Sequence, residues 1–443
     1  MNIKIDSRKV KKGDTFIAIR GINNDGHKYV NDAIKNGATT VIVEEGEYSV
    51  NTIIVNDTKK YLEEYLENNY YDKIKKLKLI GMTGTNGKTT TCYLIYQALN
   101  KVGIKCAYIG TLGFYIDREK KLNNTTPNLY DIYNMLLECV SKDYENVVME
   151  VSSQGLSMGR VNTILFDYVI FSNLTQDHLD YHKTMDSYIL EKQKLFNMNR
   201  DSIAIINNDD KYKNYFLLDN KNITYGKNNS DYNISGIESS LNGTKFYLND
   251  EEYITRLIGE YNIYNLTIVI ILLKCLYIEN ISNIIKGLNP PNGRMDIIKY
   301  NDNNIIVDYA HTPDAVLKII KEVSKIKHNK IITIIGCGGN RDKTKRTIMG
   351  KISTDNSDFV IFTSDNPRFE NPKKILQDIT CKLDKKNYKI ISKRKKAIKN
   401  GIQMLSKNDI LLVLGKGHED YQIIKDKKYP FSDKEVILKY IRR

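Results

Sequence analysis

The chain has 443 residues, of which 41% are hydrophobic, and a formal net charge of +14. This length suggests about three domains. The absence of any run of about 18 apolar residues argues against a transmembrane helix. Six cysteines without a CxxC pair argue against a zinc site or a disulfide framework. The first residues lack the apolar core of a secretory signal, so we expect a cytoplasmic protein. Basic residues are spread along the chain, and an anionic substrate explains the charge as well as nucleic acid does.

The first two thirds of the chain predict a small α/β segment followed by a larger parallel sheet. Residues 1–78 hold short strands, among them Ala38–Val43, and a helix. Further along, apolar strands alternate with helices, which indicates parallel strands joined by crossover helices. These strands are predicted at about 77–82, 104–109, 146–151, 168–173 and 202–206. Residues 228–257, with an Asn242–Gly243 turn, predict an antiparallel excursion, and an apolar helix follows at about 260–277.

The last third of the chain predicts a second, smaller doubly wound domain. Pro290–Gly293 is typical of a hinge between domains. Beyond it, strands again alternate with helices, and they are predicted at about 304–308, 330–335, 358–362, 387–391 and 410–414. The predicted fold class is therefore α/β with three domains: a small α/β domain, a central domain with a parallel sheet, and a Rossmann-like doubly wound domain. Their predicted bounds are 1–78, 79–290 and 291–443.

A glycine-rich turn between a strand and a helix predicts a phosphate-binding loop. The segment Gly81–Thr90 lies between the apolar residues 77–80 and a predicted helix over Thr91–Leu99. Backbone amides and the positive end of a helix macrodipole converge on such a turn. Lys88 is placed to reach the outer phosphates and Thr89 to hold Mg²⁺. The alternative is a Gly/Asn turn without function. The loop predicts binding and cleavage of a nucleoside triphosphate, so the central domain is predicted to be a P-loop ATPase domain.

Two further residues of the central segment are candidates for metal chemistry. Glu150 ends a valine-rich strand, at the sheet edge where α/β proteins bind ligands, and is a candidate Mg²⁺ ligand. The alternative is a carboxylate in water. His178 follows the next strand and is a candidate second ligand, although a lone histidine is usually structural. Tyr188 and Lys192 share a helix face, and spacing alone predicts that Lys192 is a solvated charge.

Four strand ends of the last segment carry polar and charged residues. Asp308, Tyr309 and His311 follow one strand and are candidates for ribose and base contacts. The other strand ends are followed by Gly336–Lys343, Asp365–Arg368 and Gly415–Glu419. Because the carboxyl ends of parallel strands meet at one edge, these residues predict one ligand-lined edge. Loop decoration without function is the alternative.

Together these motifs resemble the Mur ligase family over nearly the whole chain. They occur in the family's order: TGTNGKTT, EVSS, SNLTQDHLDYH, VDYAHTP, GCGGNRDKTKR, DNPR and GKGHE. The resemblance implies a ligase that uses ATP and Mg²⁺ in peptidoglycan synthesis. ATP would phosphorylate the D-Glu carboxylate of UDP-N-acetylmuramoyl-L-alanyl-D-glutamate, and the amine of a diamino acid would attack the acyl phosphate. The small first domain would bind the UDP part. Gln154 and Met158 depart from the family pattern.

The resemblance also implies roles for individual residues. Lys88, His178 and carbamylated Lys192 would be catalytic, and Thr89, Glu150, His178 and Lys192 would bind metal. The implied ATP contacts are Gly84, Thr85, Asn86, Gly87, Lys88, Thr89, Thr90, Asn262, Asn265, Arg294, Asp308, Tyr309 and His311. The implied UDP-muramoyl-dipeptide contacts are Ser7, Thr125, Thr126, Ser152 and Arg160. The implied diamino-acid contacts are Arg341, Asp365, Asn366, Arg368, Gly415 and Glu419.

The diamino-acid pocket decides between two substrates. Diaminopimelate carries a carboxylate at its far end, with which Arg368 can pair, whereas lysine carries only an ammonium. We therefore favour meso-2,6-diaminopimelate. The alternatives are a lysine-adding relative and a nonenzymatic nucleotide-binding regulator on the same fold; the DNPR and GKGHE motifs argue against a folylpolyglutamate synthetase. We expect a monomer without nucleic-acid or membrane partners.

Overall fold

The computed structural model describes residues 2–21, 24–219, 221–326 and 328–442. The chain forms two compact units. The first contains residues 1–80 and 104–167, and the second contains residues 81–103 and 168–443. Among the described residues, none of the helices combines the length and the apolar character needed to cross a bilayer.

The first unit begins with a parallel sheet whose four strands follow chain order. The strands are β1 (Ile3–Lys4), β2 (Thr15–Ile17), β3 (Thr40–Val43) and β4 (Asn51–Ile54). Helices α1 (Val30–Lys35) and α2 (Thr58–Ile74) accompany them. Asp57 starts α2 because its carboxylate accepts the amides of Lys59 and Lys60 at 2.8 and 2.9 Å. Strand β5 (Lys78–Thr83) spans the boundary between the units, and helix α3 (Lys88–Lys101) follows it.

The remainder of the first unit contains four further strands. Its strands are β6 (Cys106–Gly110), β7 (Gly113–Tyr115), β8 (Glu119–Lys120) and β9 (Asn146–Glu150), in the order β9-β6-β7-β8. β6 and β9 are parallel, whereas β7 pairs antiparallel with both β6 and β8. Helices α4 (Leu129–Ser141) and α5 (Ser153–Ser157) complete this part. All five residues of β9 are buried, as expected for a central parallel strand.

The second unit contains a sheet that changes from parallel to antiparallel pairing. Its elements are β10 (Tyr168–Phe171), α6 (Leu179–His182), α7 (Met185–Asn197), β11 (Ile203–Asn207), β12 (Asn222–Gly226), β13 (Tyr232–Ser240), β14 (Gly243–Leu248), β15 (Glu251–Thr255), α8 (Glu260–Cys275) and α9 (Ile281–Lys286). The strands from β10 to β13 pair parallel, and those from β13 to β15 pair antiparallel. The antiparallel excursion predicted from the Asn242–Gly243 turn is confirmed.

The last part of the second unit is a doubly wound sheet. Its elements are β16 (Asp296–Tyr300), β17 (Asn303–Asp308), α10 (Pro313–Ser324), β18 (Ile331–Ile335), α11 (Thr344–Asn356), β19 (Phe359–Phe362), α12 (Pro372–Thr380), β20 (Tyr388–Ile390), α13 (Arg394–Gln403), β21 (Ile410–Leu414), β22 (Tyr421–Ile424), β23 (Lys427–Pro430) and α14 (Asp433–Ile441). The sheet order is β16-β17-β21-β18-β19-β20. Alternate residues of β17 enter opposite cores, with Ile306 in one and Ile305 and Val307 in the other.

Every strand predicted in the central and last segments is present, and the α/β fold class is confirmed. Sequence analysis missed β12, the antiparallel edge strand β16 and the β22–β23 hairpin. The hairpin pairs Tyr421–Ile424 with Lys427–Pro430, and all four residues of β23 are exposed. A strand without a buried face lacks the alternating apolar pattern on which the prediction depends. The domain bounds remain a prediction.

Candidate active site

The predicted phosphate loop joins the end of β5 to the start of α3. Gly84 and Gly87 have φ values of +142° and +90°, which favour glycine. A Cβ atom on Gly84 would lie 2.0 Å from the Ser172 hydroxyl oxygen, so no side chain fits there. Lys88 and Thr89 are the first two residues of α3, which begins three residues before the helix predicted over Thr91–Leu99. The positive end of the helix macrodipole therefore lies at the loop.

The loop is braced by the segment that follows β10. The Thr85 amide donates to the Asn173 carbonyl at 2.8 Å, and the Asn86 amide donates to the Asn173 side-chain oxygen at 3.0 Å. The Ser172 hydroxyl donates to the Asn86 carbonyl at 2.7 Å. These bonds hold the backbone of the loop in one conformation before an anion binds, as pre-organised anion binding requires.

Two lysines converge on one carbonyl oxygen of the loop. The Nζ atoms of Lys88 and Lys192 each lie 2.7 Å from the Gly84 oxygen. Lys88 also donates to the Thr85 oxygen at 3.0 Å. Two cations on one carbonyl repel each other unless one of them is neutral or an anion lies between them. The arrangement therefore favours a bound anion at the loop or a change of charge on a lysine.

Lys192 is the lysine whose charge is disfavoured. Its side chain is 1% exposed, so the expectation of a solvated charge was wrong. Burial, together with the Lys88 charge, holds the pKa of Lys192 well below its usual range, and Asp177 acts weakly in the opposite direction. Its ammonium lies 4.7 Å from the centre of the buried Tyr188 ring, on the shared helix face that spacing predicts. A buried amine with a lowered pKa has an increased neutral, nucleophilic fraction.

His178 lies at the N-terminal end of α6 in an unusual backbone conformation. Its φ is +54°, and its side chain is 46% exposed. Nε2 is 3.5 Å from a carboxylate oxygen of Asp177. Desolvation lowers the pKa of His178; Asp177 opposes this effect, whereas Lys192 and Lys88 add to it. The imidazole is therefore biased toward the neutral form, which can bind a metal.

A cavity of about 360 Å³ opens beside the loop, within the size range of small-molecule sites. Nine of the predicted ATP contacts line it: Asn86, Gly87, Thr90, Asn262, Asn265, Arg294, Asp308, Tyr309 and His311. The other four, Gly84, Thr85, Lys88 and Thr89, belong to the same loop and helix start. The cavity thus joins the phosphate loop to helix α8 and to the turn after β17.

Helix α8 brings two asparagines to this cavity. Asn265 accepts a hydrogen bond from the Thr91 hydroxyl at 3.1 Å, and its amide nitrogen donates to the Asn262 side-chain oxygen at 3.2 Å. Asn262 in turn donates to the Ile258 carbonyl at 2.8 Å. Both asparagines are buried. The bonded chain fixes two amide side chains at a wall of the cavity.

Arg294 links the cavity to the metal-ligand candidate Thr89. One guanidinium nitrogen lies 3.5 Å from the Thr89 hydroxyl, and the guanidinium carbon lies 4.5 Å from the centre of the Tyr309 ring. The Arg294 Nε atom is buried without a hydrogen-bond partner among the described residues. An unsatisfied buried donor is costly, and an anionic ligand would satisfy it.

Asp308 organises the turns around the cavity. Its two carboxylate oxygens accept the amides of Met295 and Ala310, each at 2.7 Å. Burial raises the pKa of Asp308, although Arg294 and these two amides act in the opposite direction. Asp308 therefore holds the start of β16 against the turn after β17. Each oxygen retains a second lone pair for the predicted ribose contact.

Sequence analysis missed several polar residues that line the cavity. Asp209, Asp210, Tyr225 and Tyr264 lie on the side formed by β11, β12 and α8. Tyr264 donates to Asp209 at 2.5 Å, and Asp210 accepts the Leu174 amide at 2.8 Å. The signal was available, because Asn207–Asp210 follows a predicted strand in the same way as the residues that were selected.

In the first unit, Glu150 is buried rather than solvated. Its carboxylate accepts hydrogen bonds from the Tyr108 hydroxyl, from the Thr111 amide at 2.9 Å and from the Thr111 hydroxyl at 3.2 Å. The side chain is 0% exposed. The alternative of a carboxylate in water is therefore wrong. The donors orient the carboxylate, as second-sphere partners of a metal ligand do.

Four of the predicted UDP-substrate contacts cluster around the end of β9. Thr126 Oγ1 lies 2.9 Å from the Glu150 carbonyl oxygen and 3.1 Å from Ser152 Oγ. Arg160 donates to the Thr126 carbonyl at 2.7 Å, and its other guanidinium nitrogen lies 3.1 Å from the Met158 sulfur. The Thr125 hydroxyl is 3.0 Å from that of Thr111. The fifth, Ser7, is buried in a short 3₁₀ turn of the first sheet region.

The predicted diamino-acid contacts meet at the strand ends of the last sheet. Asn366 donates to Glu419 at 2.8 Å, and Asp365 accepts the Asn366 amide at 2.6 Å. A Cβ atom on Gly415, whose φ is +111°, would lie 2.8 Å from an Asp365 carboxylate oxygen. Asp365, Asn366 and Gly415 are buried. The structure thus brings these four residues together.

Two arginines lie on the other side of this group. A Cβ atom on Gly338 would lie 3.0 Å from Arg368 Nη1 and 3.8 Å from Arg341 Cγ, so both side chains pass the same turn. Arg368 donates to the Gly339 carbonyl at 2.9 Å. Burial and the neighbouring Arg341 charge lower the pKa of Arg368. An anion bound beside the two arginines, such as a ligand carboxylate, would relieve the repulsion between their positive charges.

The hairpin that sequence analysis missed supports the diamino-acid region. The Arg368 amide donates to the Ile423 carbonyl at 3.1 Å, and the Lys425 amide donates to the Arg368 carbonyl at 2.8 Å. The Gln422 side chain donates to the Asp365 carbonyl at 2.5 Å. Arg368 has a φ of +51°, a strained value that these bonds hold in place.

A protein-only metal site does not form within the part of the chain that the structure describes. It contains no group of three or more His, Cys, Asp or Glu side chains that could hold an ion. Mg²⁺ is usually bound through one or two protein ligands, with phosphates and water completing the shell. In the second unit, the Thr89 hydroxyl at the start of α3 is an oxygen donor of the kind that Mg²⁺ prefers. In the first unit, the buried Glu150 carboxylate is another donor of this kind. Each donor fits an Mg²⁺ ion whose shell is completed by nucleotide phosphates and water.

Fold and motifs define an ATP-dependent ligase of the three-domain Mur type, and comparison with family models agrees. Residues 1–78 match the Mur ligase family catalytic domain, 82–273 the Mur ligase middle domain, and 293–417 the Mur ligase glutamate ligase domain. The chain belongs to the Mur ligase family.

Similar proteins with names point to one branch of this family. The chain is 42% identical to UDP-N-acetylmuramoyl-L-alanyl-D-glutamate–2,6-diaminopimelate ligase of Fusobacterium nucleatum, over 100% of this chain and 94% of that protein. A solved ligase of the same name is 31% identical with a TM-score of 0.69, covering 99% of this chain and 94% of that one. MurF of Thermotoga maritima, solved with ADP, has a TM-score of 0.69 at 18% identity over 99% of this chain and 96% of that one, and shows the fold alone.

Proposed function

We propose that this protein is an ATP-dependent amide ligase that adds meso-2,6-diaminopimelate to UDP-N-acetylmuramoyl-L-alanyl-D-glutamate in peptidoglycan synthesis. The observation that carries the proposal is the grouping of opposite charges at the strand ends of the last sheet. Arg341 and Arg368 pass one turn, and Asn366 is bonded to Glu419, whose charge acts on Arg368. Such a group offers cations for a carboxylate and an anion for an ammonium, which is the pattern of the far end of diaminopimelate. The names of the similar ligases agree with this substrate.

ATP would bind with its phosphates at the loop and its nucleoside in the adjacent cavity. The loop amides, the start of α3 and Lys88 supply positive charge for the phosphates. Arg294 and the bonded pair Asn262–Asn265 line the cavity. The γ-phosphate would pass to the D-Glu carboxylate, which converts a poor electrophile into an acyl phosphate with a good leaving group. ADP and phosphate are the expected by-products.

Lys192 would act as a carbamate. A neutral amine attacks carbon dioxide, forms an N–C bond and releases a proton, which turns a cation into an anion. The buried position and lowered pKa of Lys192 support this reaction because they increase the neutral fraction. The carbamate would also remove the repulsion between Lys192 and Lys88 at the Gly84 carbonyl.

Two Mg²⁺ ions would be held by Thr89, Glu150, His178 and the Lys192 carbamate together with the nucleotide phosphates, and the carbamate would support the second ion. The ions would neutralise the charge that builds up between the acceptor carboxylate and the γ-phosphate. In this chain, the orientation of Glu150 by Tyr108 and Thr111 and the neutral bias of His178 support these assignments.

The UDP-muramoyl dipeptide would contact the first unit. Thr125, Thr126, Ser152 and Arg160 form a connected polar cluster there, which supports a shared role. Ser7 is a separate candidate for the uridine end. We further propose domains at 1–78, 79–290 and 291–443, a cytoplasmic location and a monomeric state.

Lysine is the competing acceptor substrate. Lysine would place no carboxylate beside Arg341 and Arg368, and it would leave their mutual repulsion unrelieved. The pocket therefore disfavours lysine.

The proposal is tested by following ADP release and product mass with all substrates and with each one omitted, in Mg²⁺ and bicarbonate. We expect product only when UDP-muramoyl dipeptide, ATP and diaminopimelate are all present. A protein that binds ATP without forming product with either diamino acid would support the nonenzymatic regulator instead.

A further inference from the structure

A buried lysine lies behind the proposed diamino-acid pocket. Lys416 follows β21, and its side chain is 0% exposed. Lysine is almost never fully buried unless it is paired. We propose that Lys416 is a specificity-determining positioning residue: it sets the charge of the pocket so that a diamino acid with a far-end carboxylate is preferred over one without. This inference rests on the proposed function and concerns how the same site selects its substrate.

The contacts of Lys416 are with two of the predicted substrate-binding residues. Its ammonium lies 2.7 Å from Glu419 Oε2 and 3.3 Å from the Asn366 side-chain oxygen. The Asn366 amide nitrogen donates to the same Glu419 oxygen at 2.8 Å. Glu419 Oε2 therefore has two donors from the protein. The other carboxylate oxygen, Oε1, is the one left to meet a ligand ammonium.

The lysine also holds the residues that carry the pocket. The Asn366 side-chain oxygen accepts the Ile423 amide at 2.9 Å, so Lys416 and the β22–β23 hairpin meet on one amide group. The ammonium lies 5.7 Å from the centre of the Tyr421 ring, in the same hairpin. Lys416 thus couples the orientation of Glu419 to the loop that carries Arg368.

Charge decides which ligand the pocket favours. Arg341, Arg368 and Lys416 are cations, and Asp365 and Glu419 are anions, so the lysine changes the formal charge of the group from neutral to positive. The side chain of diaminopimelate ends in both an ammonium and a carboxylate and is neutral. Lysine ends in an ammonium alone. A positive pocket repels the charged end of lysine. It leaves the neutral end of diaminopimelate almost unaffected, because electrostatic complementarity acts on net charge.

The test compares Lys416→Met with Lys416→Arg and with Lys427→Met, the same change at an exposed position of β23. For each folded variant, verified by thermal melting, kcat/KM is measured with diaminopimelate and with L-lysine, together with KM for ATP. We expect Lys416→Met to lower the diaminopimelate-to-lysine ratio by about tenfold or more, mainly through KM for the diamino acid. KM for ATP should stay the same, and Lys427→Met should behave as the wild type.

Lys416→Arg keeps the positive charge and should keep most of the preference for diaminopimelate over lysine. If Lys416→Met does not fold, the ratio measured with Lys416→Arg tests the inference. A folded Lys416→Met variant with an unchanged ratio, or a folded Lys416→Arg variant that loses the ratio, would overturn the inference. A wild-type protein that makes no diaminopimelate product would instead overturn the proposed function, so the two failures are distinguishable.

Discussion

Replacing Lys192 with methionine should abolish activity while making the protein more stable. Methionine has a similar length and carries no charge, so it can occupy a side-chain position that is 1% exposed. Loss of a buried charged residue normally lowers stability because a partner is left unpaired. Here the neighbour at the Gly84 carbonyl is Lys88, which has the same charge, so we expect removal of Lys192 to raise the stability.

The structure gives the size of the effect. Each lysine nitrogen is 2.7 Å from the same Gly84 oxygen, so the two nitrogens are no more than twice that distance apart. At an effective dielectric constant of about 20, two unit charges at about 5 Å repel by about 3 kcal/mol. Because the pKa of Lys192 is already lowered, part of this repulsion is relieved by deprotonation. We expect a gain of about 1–2 kcal/mol in the free energy of unfolding.

The assay is urea unfolding of wild type and Lys192→Met in nucleotide-free buffer depleted of bicarbonate, beside ligase activity in Mg²⁺ and bicarbonate. Lys194→Met, at an exposed position of the same helix, is the control. We expect higher stability with no product for Lys192→Met, and partial recovery of activity when short-chain carboxylates are added. Lower stability with normal activity would refute the reasoning.

Three other predictions concern the second unit. Arg368→Ala should lower kcat/KM for diaminopimelate by about 30-fold, or about 2 kcal/mol, and leave KM for ATP unchanged. Asp433→Ala should cost about 3–5 kcal/mol in urea unfolding, because it leaves the Arg394 guanidinium, now bonded at 2.6 and 2.7 Å, buried and unpaired. Burial, with the Lys345 charge, lowers the pKa of His311 to about 4. Since the unfolded chain then binds more protons, stability should fall between about pH 6.5 and 4, by at most about 3 kcal/mol for this group, and His311→Phe should flatten the slope.

Each of these predictions has a matched control. Arg368→Lys keeps a cation but loses the bidentate fork, and should retain part of the activity. The double change of Arg394 to methionine and Asp433 to leucine should recover most of the stability lost in Asp433→Ala. If Asp433→Ala and the double variant lose the same free energy of unfolding, the ion-pair argument is contradicted. A pH slope that is the same in His311→Phe and wild type would contradict the titration argument.

The residues that sequence analysis selected best are those at the ends of apolar strands. Glu150 and Asp308 end buried strands, and Asp365 comes shortly after one. Within each parallel sheet, the strand geometry brings such ends to one edge. The local pattern contains that information. It does not contain the distant partners: both oxygens of Asp308 are bonded to backbone amides on either side of β17, which no spacing rule predicts.

Burial of charge was the main failure of the sequence reasoning. Lys192 lies on a helix with polar residues around it, and its ammonium is bonded to the carbonyl of Gly84, which is more than 100 residues away in the sequence. Sequence analysis also did not select Lys416, which is bonded to the distant residue Asn366. A charged residue with a buried partner far along the chain has no periodic signature.

The β22–β23 hairpin could not be predicted because its second strand is exposed and carries Lys427 and Lys428. Yet it holds the backbone of Arg368 and the side chain of Asn366. The motifs therefore predict residues of a diamino-acid pocket but not the element that positions them.

The central claim is tested most directly by a competition experiment with the wild-type protein. Equimolar meso-diaminopimelate and L-lysine are offered with UDP-muramoyl dipeptide, ATP, Mg²⁺ and bicarbonate, and the product is identified by mass. The account predicts the diaminopimelate product almost alone. A product that contains lysine in comparable or greater amount would contradict the assignment of Arg368 and Lys416 to the selection of a far-end carboxylate.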